Sequence, residues 1–260
     1  MTHSVRFLLL SFLTLLLLQP AEAQRRKKRD QAPPPAAETP TVAPAALPTP
    51  PPSADDAYAR QRRVFEQALR YNDGDVALSA FYQMMALRPD DVVLKDTLAY
   101  LYYDLNKFAN ALFVTRELTA KRPGNTGILE LKGLTERKLG LLPEALATYQ
   151  RLYASTQNLL HLYEQATIQY QLKRLNEFEL SLNMLMEHPD LAEQTLTLQG
   201  AGQTSQEVPM RAAVLNLRGV LHTERGKMEE ARTAYQEALK IAPAFELAKD
   251  NLAALEQPAE

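Results

Sequence analysis

The stretch LNLRGVLHTERGKMEEARTAYQEALKIAP fills residues 215–243. Two helical halves flank Gly226. Leu215 and Gly219 stand in the first half, Ala231, Tyr235 and Ala238 in the second, and Pro243 closes the unit. The same punctuation returns upstream. Ala77, Ala111 and Ala145 recur every 34 residues, Pro89 and Pro123 are 34 apart, and Gly140 stands in a turn equivalent to that of Gly226. A period of 34 with two amphipathic helices per unit is the signature of a solenoid, whose units bury their apolar faces by stacking on one another.

These residues resemble the tetratricopeptide repeat (TPR) family. In that pattern a small residue in the first helix lets the second approach, and a further small residue, an aromatic and a closing proline follow. Residues 215–243 match best. The preceding units carry Leu129, Gly133, Gly140, Ala145 and Tyr149, with Gln157 in place of proline; Leu98, Ala99, Tyr102, Ala111 and Pro123; and Ala77, Phe81 and Pro89, with Phe65 where a small residue is usual. A fourth unit is degenerate: Ala166 is its small residue, Phe178 replaces the usual Ala, and Pro189 lies near its end. The resemblance implies an all-α, right-handed α-solenoid of about five helix pairs over residues 55–260. The units fall at about 58–91, 92–125, 126–158, 159–189 and 212–243.

Two departures stand out. Ala166 and Gly219 are 53 residues apart, so 19 extra residues separate the last two units. Within this insertion, 190–211, Thr195-Leu196-Thr197-Leu198 alternates, Gly200-Ala201-Gly202 can turn, and Thr204 to Val208 can return, as a short β-hairpin or an irregular loop. After Pro243, the apolar Phe245, Ala248, Leu252 and Leu255 recur at helical spacing while Glu246, Lys249, Asp250 and Glu256 face away. This predicts a capping helix over 244–256.

The N-terminal region reads differently. Arg6 precedes an apolar run from Phe7 to Leu18, followed by Pro20 and Ala21-Glu22-Ala23. A positive start, a short apolar run and a small-x-small triplet form a secretory signal, residues 1–23, with cleavage between Ala23 and Gln24. An uncleaved membrane anchor is the alternative, but twelve helical residues span only about 18 Å of a hydrocarbon core about 30 Å thick. The run Arg25-Arg26-Lys27-Lys28-Arg29 is a solvated cluster, or one that touches anionic lipid or a polyanion. Nine of the chain's 17 prolines fall in residues 31–54, so 24–54 reads as a basic and then Pro/Ala-rich disordered linker.

The whole chain has 260 residues, 29 Lys and Arg against 31 Asp and Glu, and no Cys. The balance argues against nucleic acid as a partner, and the missing cysteine removes disulfides, thiolate metal sites and Cys nucleophiles. The four histidines, His3, His161, His188 and His222, form no metal or catalytic spacing, and no phosphate loop or nucleophile elbow occurs. His222 reads as a packing residue. Asp55-Asp56 and Asp90-Asp91 lie where helix starts need side-chain acceptors. No enzyme activity, cofactor or metal is expected.

The resemblance implies a concave groove lined by first helices, with exposed residues three before, one after and four after each small position. These are Arg62, Glu66 and Leu69; Asp96, Tyr100 and Tyr103; Glu130, Leu134 and Arg137; Tyr163, Thr167 and Tyr170; and Asn216, Val220 and Thr223. Some TPR domains hold a peptide's terminal carboxylate with Lys and Asn at the first two positions; here Asp96 with Tyr100, and Glu130 with Leu134, would repel one. The tyrosines are the better binding candidates, because a Tyr ring offers large area at little entropy cost. The expected function is a protein-interaction module of the cell envelope, exported to a bacterial periplasm, that takes an extended peptide or partner helix in the groove. The alternative is an assembly factor docking through its convex face and the 190–211 insertion.

Overall fold

The computed structural model describes residues 53–199 and 205–256. The signal, the Ala23–Gln24 cleavage point and nearly all of the linker lie outside them. Five helix pairs follow in order: α1 (Ala54–Arg70) with α2 (Gly74–Leu87), α3 (Val92–Asp104) with α4 (Phe108–Lys121), α5 (Thr126–Lys138) with α6 (Leu142–Thr156), α7 (Leu159–Gln171) with α8 (Leu175–Glu187), and α9 (Met210–Glu224) with α10 (Met228–Ile241). A last helix, α11 (Glu246–Glu256), packs on α10. The arrangement is an α-solenoid in which each helix contacts chiefly its sequence neighbours.

Local chemistry sets the helix ends. Asp73, Asp91, Asn125 and Asn158 each accept a hydrogen bond from a backbone N–H of the helix that follows, supplying an acceptor where the first turn has none. Ser53 and Asp56 cap α1 reciprocally, while Asp55 pairs with Arg88 at 3.1 Å. Every turn inside a pair contains one left-handed residue: Asn72, Asn106, Gly140, Lys173 and Gly226, with φ of 55–72°. Sequence reading found only the two glycines. Gln157, where the third unit lacks its proline, also turns left-handed and ends α6.

Small residues govern approach within pairs. Ala77, Ala99, Ala111, Ala145, Ala166 and Ala231 are fully buried, as is the large Phe178. The fourth unit fits Phe178 by tilting the Tyr170 ring against it, centroids 5.4 Å apart. In the first unit Phe65 tilts against Phe81 at 5.1 Å.

The insertion contains the hairpin. A short 3-10 helix, Pro189–Glu193, leads into β1 (Thr195–Gln199), which pairs antiparallel with β2 (Ser205–Pro209), Leu196 facing Val208 and Leu198 facing Gln206. Its apolar face is consumed internally. Leu196 joins the cluster of α7, α8 and α9, and Val208 joins that of α9, α10 and α11. Gln206 donates to the Ala244 carbonyl at 2.5 Å and accepts from the Glu246 N–H at 3.2 Å, which fixes the start of α11. The hairpin splints the last two pairs together.

Candidate interaction surface

First helices present the face on which the candidate residues lie. Tyr103 of α3, Leu134, Arg137 and Lys138 of α5, and Gln171 of α7 line one open cleft of about 280 Å³. It spans three consecutive repeats. Tyr100 is 38% exposed, and Gly127 leaves room for its hydroxyl at the start of α5: a Cβ there would lie 3.3 Å from Tyr100 Oη. Tyr103 is half-buried with its ring edge-on to Phe108 at 5.4 Å. Leu134 is 39% exposed and supplies the apolar part of the cleft lining.

Three acidic residues of this face are internally paired. Asp96 receives both prongs of the Arg122 guanidinium, one at 2.9 Å. Glu130 meets His161 Nε2 at 2.8 Å, and the other ring nitrogen meets Thr156 Oγ1 at 2.8 Å. Glu164 pairs with Arg137. Bidentate and buried-edge pairs of this kind fix geometry between repeats. Burial, then Glu130 and Asp96, raise the Tyr100 hydroxyl above its ordinary pKa. Burial raises Tyr103 too, with Asp104 adding and Arg137 opposing. Arg137 also opposes the burial that pushes Tyr149 and Tyr163 to about 12.

Two expected groove residues lie elsewhere. Tyr163 is only 8% exposed and packs in the core with Leu159, Ala166 and Phe178. Asn216 is 6% exposed and accepts from Asn251 of α11 at 2.9 Å, so it ties down the final helix. Both stand three residues before a small position, where the fourth and fifth units turn inward. Arg62 and Glu66 pair with each other on exposed α1, apart from the cleft. Thr167 is half-buried and donates to the Glu164 carbonyl at 2.9 Å. Tyr170 donates to Glu224 of α9 at 2.8 Å, beside Lys173 at 2.9 Å from the same oxygen. These bonds tie the fourth pair to the fifth across the insertion.

Sequence reading missed Lys138 and Gln171. Each lies five residues after its small position and one helical turn after a listed groove position, so the i, i+4 relation was the available signal.

A second network lies between the helices of single pairs. Lys132 and Glu136 of α5 meet Thr148 of α6, with Glu136 buried and accepting from the threonine hydroxyl at 2.7 Å. One repeat later, Gln165 and Gln169 meet Ser181 at 3.1 and 2.7 Å. The equivalent residues in the fifth pair are Arg218, His222 and Ala234. With no hydroxyl at Ala234, His222 Nδ1 is buried without a hydrogen-bond partner. His222 is thus the packing residue expected from sequence, and burial depresses its pKa.

Residues 97–159 and 212–245 each match a model of the tetratricopeptide repeat. Tetratricopeptide repeats are present in this chain. No curated protein matches the chain. Among solved structures, it is similar to MamA (41-end) from Desulfovibrio magneticus RS-1, at 12% identity over 75% of this chain and 99% of that one, with a TM-score of 0.56. It is similar to YrrB, a TPR protein with an unusual peptide-binding site, at 14% identity over 79% and 93%, with a TM-score of 0.56. A chain of the Naa15/Naa10 complex bound to HypK-THB matches at 16% identity over 78% of this chain and 29% of that one, with a TM-score of 0.54. At these identities the likeness establishes the TPR fold. Among the described residues, no helix is long and apolar enough to cross a membrane.

Proposed function

We propose that this chain is a non-enzymatic interaction module, exported to the cell envelope on its N-terminal signal, that holds an extended segment or helix of a partner protein along the first-helix face. One observation carries the reading. The cleft of Tyr103, Leu134, Arg137, Lys138 and Gln171 combines apolar, aromatic and polar side chains from three repeats. Such a mixture suits recognition of a chain laid across repeats, where aromatic anchors supply contact area and polar groups set register. YrrB, with its peptide-binding site, offers a precedent for the use of this fold.

The second reading, docking through second helices, is favoured by Phe113 of α4 and Leu180 of α8, which are 74% and 63% exposed. The hairpin adds little to it, because its apolar face is already covered. Photo-crosslinking separates the two. A photoreactive residue at Leu134 should capture a partner in the native host, whereas one at Phe113 should not. Capture at Phe113 alone would favour the second reading.

A further inference from the structure

We infer that the outer face of α1 seats on the phosphates of an anionic lipid surface. The inference is independent of the groove, since Arg62, Glu66 and Leu69 lie on another side of the helix. The repeat period shows what is unusual about this face. In α3, Leu94, Leu98 and Leu101 are buried in the cluster that holds Phe81 and Met84 of α2. One period of 34 residues earlier, the same positions are Arg60, Val64 and Gln67 of α1. Among the described residues no helix precedes α1, and all three are exposed. Arg63, Arg70 and Tyr71 extend the same face and are exposed too, Tyr71 at 76%.

A solenoid end has to meet solvent, and α11 does so with mixed charge, exposing Glu246, Lys249 and Asp250. The α1 face is different. Arg88, Arg122, Arg137 and Arg225 each grip a carboxylate, whereas Arg60, Arg63 and Arg70 have none within ion-pair distance among the described residues. Three acids stand near them. Asp56, one turn before Arg60, accepts from the Ser53 hydroxyl at 2.7 Å, Glu66 pairs with Arg62, and Asp73 caps α2. Three free guanidinium groups therefore share the face with one capped acid. Each can present paired N–H donors to phosphate oxygens. Arg63, Glu66, Gln67, Arg70 and Tyr71 line an open hollow of about 420 Å³, which sets two of the arginines beside a tyrosine, a ring that settles at the level of lipid headgroups. Val64, 41% exposed, adds apolar contact. A nucleic-acid duplex offers phosphates but no apolar layer for Val64 and Tyr71, so lipid fits the face better.

The test uses the absence of cysteine from the chain. A polarity-sensitive dye is attached to the full chain at Gln67→Cys or, as a control on α4, at Phe113→Cys. Vesicles of phosphatidylcholine with 30% phosphatidylglycerol should shift the Gln67 dye to the blue and leave the Phe113 dye unchanged. Pure phosphatidylcholine should give no shift, and 1 M salt should reverse the one seen. Replacing Arg60, Arg63 and Arg70 together with Gln should raise the lipid concentration needed for the shift by about tenfold or more at an unchanged melting temperature. The run Arg25 to Arg29 stays in every variant, so adsorption through it does not mimic the result. An equal shift at both dye sites, a shift that survives the triple substitution, or no shift at all overturns the inference. A shift on duplex DNA but not on anionic vesicles overturns the lipid assignment. None of these outcomes touches the groove reading, which is tested at Leu134.

Discussion

Gly219 and Ala234 show how single atoms decide this fold. A Cβ on Gly219 would lie 2.3–2.8 Å from three atoms of the Tyr235 ring, closer than any stable packing. The same addition at Gly133 meets Tyr149 and Thr148 at 3.1–3.2 Å, where a slight shift suffices. Gly219→Ala should therefore destabilise by about 2 kcal/mol in urea unfolding, as overpacking does. Gly133→Ala should stay within about 1 kcal/mol of wild type, because added helix propensity offsets the shift. Equal costs at both sites would mean that the two pairs pack alike. At Ala234 the change runs the other way. A serine hydroxyl there would give His222 Nδ1 the partner that Thr148 and Ser181 provide in the preceding repeats. Ala234→Ser should stabilise by about 1 kcal/mol, read as a rise in the urea midpoint at unchanged slope. A lower midpoint would place the hydroxyl out of reach of the ring. The αL turns were partly hidden at this scale, since Asn72, Asn106 and Lys173 carry no sequence mark as strong as Gly140 or Gly226.

Among the elements, the insertion is held where two repeats would otherwise separate. Glu224 takes hydrogen bonds from Lys173 and Tyr170, and Glu179 takes both prongs of Arg225. These partners hold the Glu224 and Glu179 carboxyls below the ordinary value of 4.5. A depressed carboxylate contributes stability that is complete above its unfolded pKa and lost as pH falls through its folded one. Below about pH 4.5 the junction of α7 and α8 with α9 should therefore loosen, seen as faster amide exchange in α9 than in α5. Uniform acceleration along the chain would contradict this. Gln206→Ala should release the start of α11 and raise exchange there, with little change before residue 187. Helix positions and the alternating strand were legible in sequence because their periods, 3.6 and 2, are written in the apolar residues. The choice between hairpin and loop was not, because it depends on Leu196 and Val208 finding cores contributed by α7 to α11.

Across the whole molecule, the repeat period made the solenoid readable before any coordinate, and unit-specific packing limited what could be read of its surface. The rule of three before, one after and four after assumes that every repeat turns alike. It fails at Tyr163 and Asn216, where neighbouring helices close over the side chain, and it omits Lys138 and Gln171 one turn further on. Charge pairing between repeats was likewise invisible, since Arg122, His161 and Arg137 lie 26, 31 and 27 residues from their partners. The central claim is that the first-helix face binds a partner. Its most direct measurement is affinity purification from the native host with wild type, Leu134→Glu and Phe113→Glu, each with a thermal melt. Leu134→Glu should lose the partner, Phe113→Glu should keep it, and both should melt within a few degrees of wild type. Retention by Leu134→Glu with loss by Phe113→Glu would contradict the groove and assign binding to the opposite face.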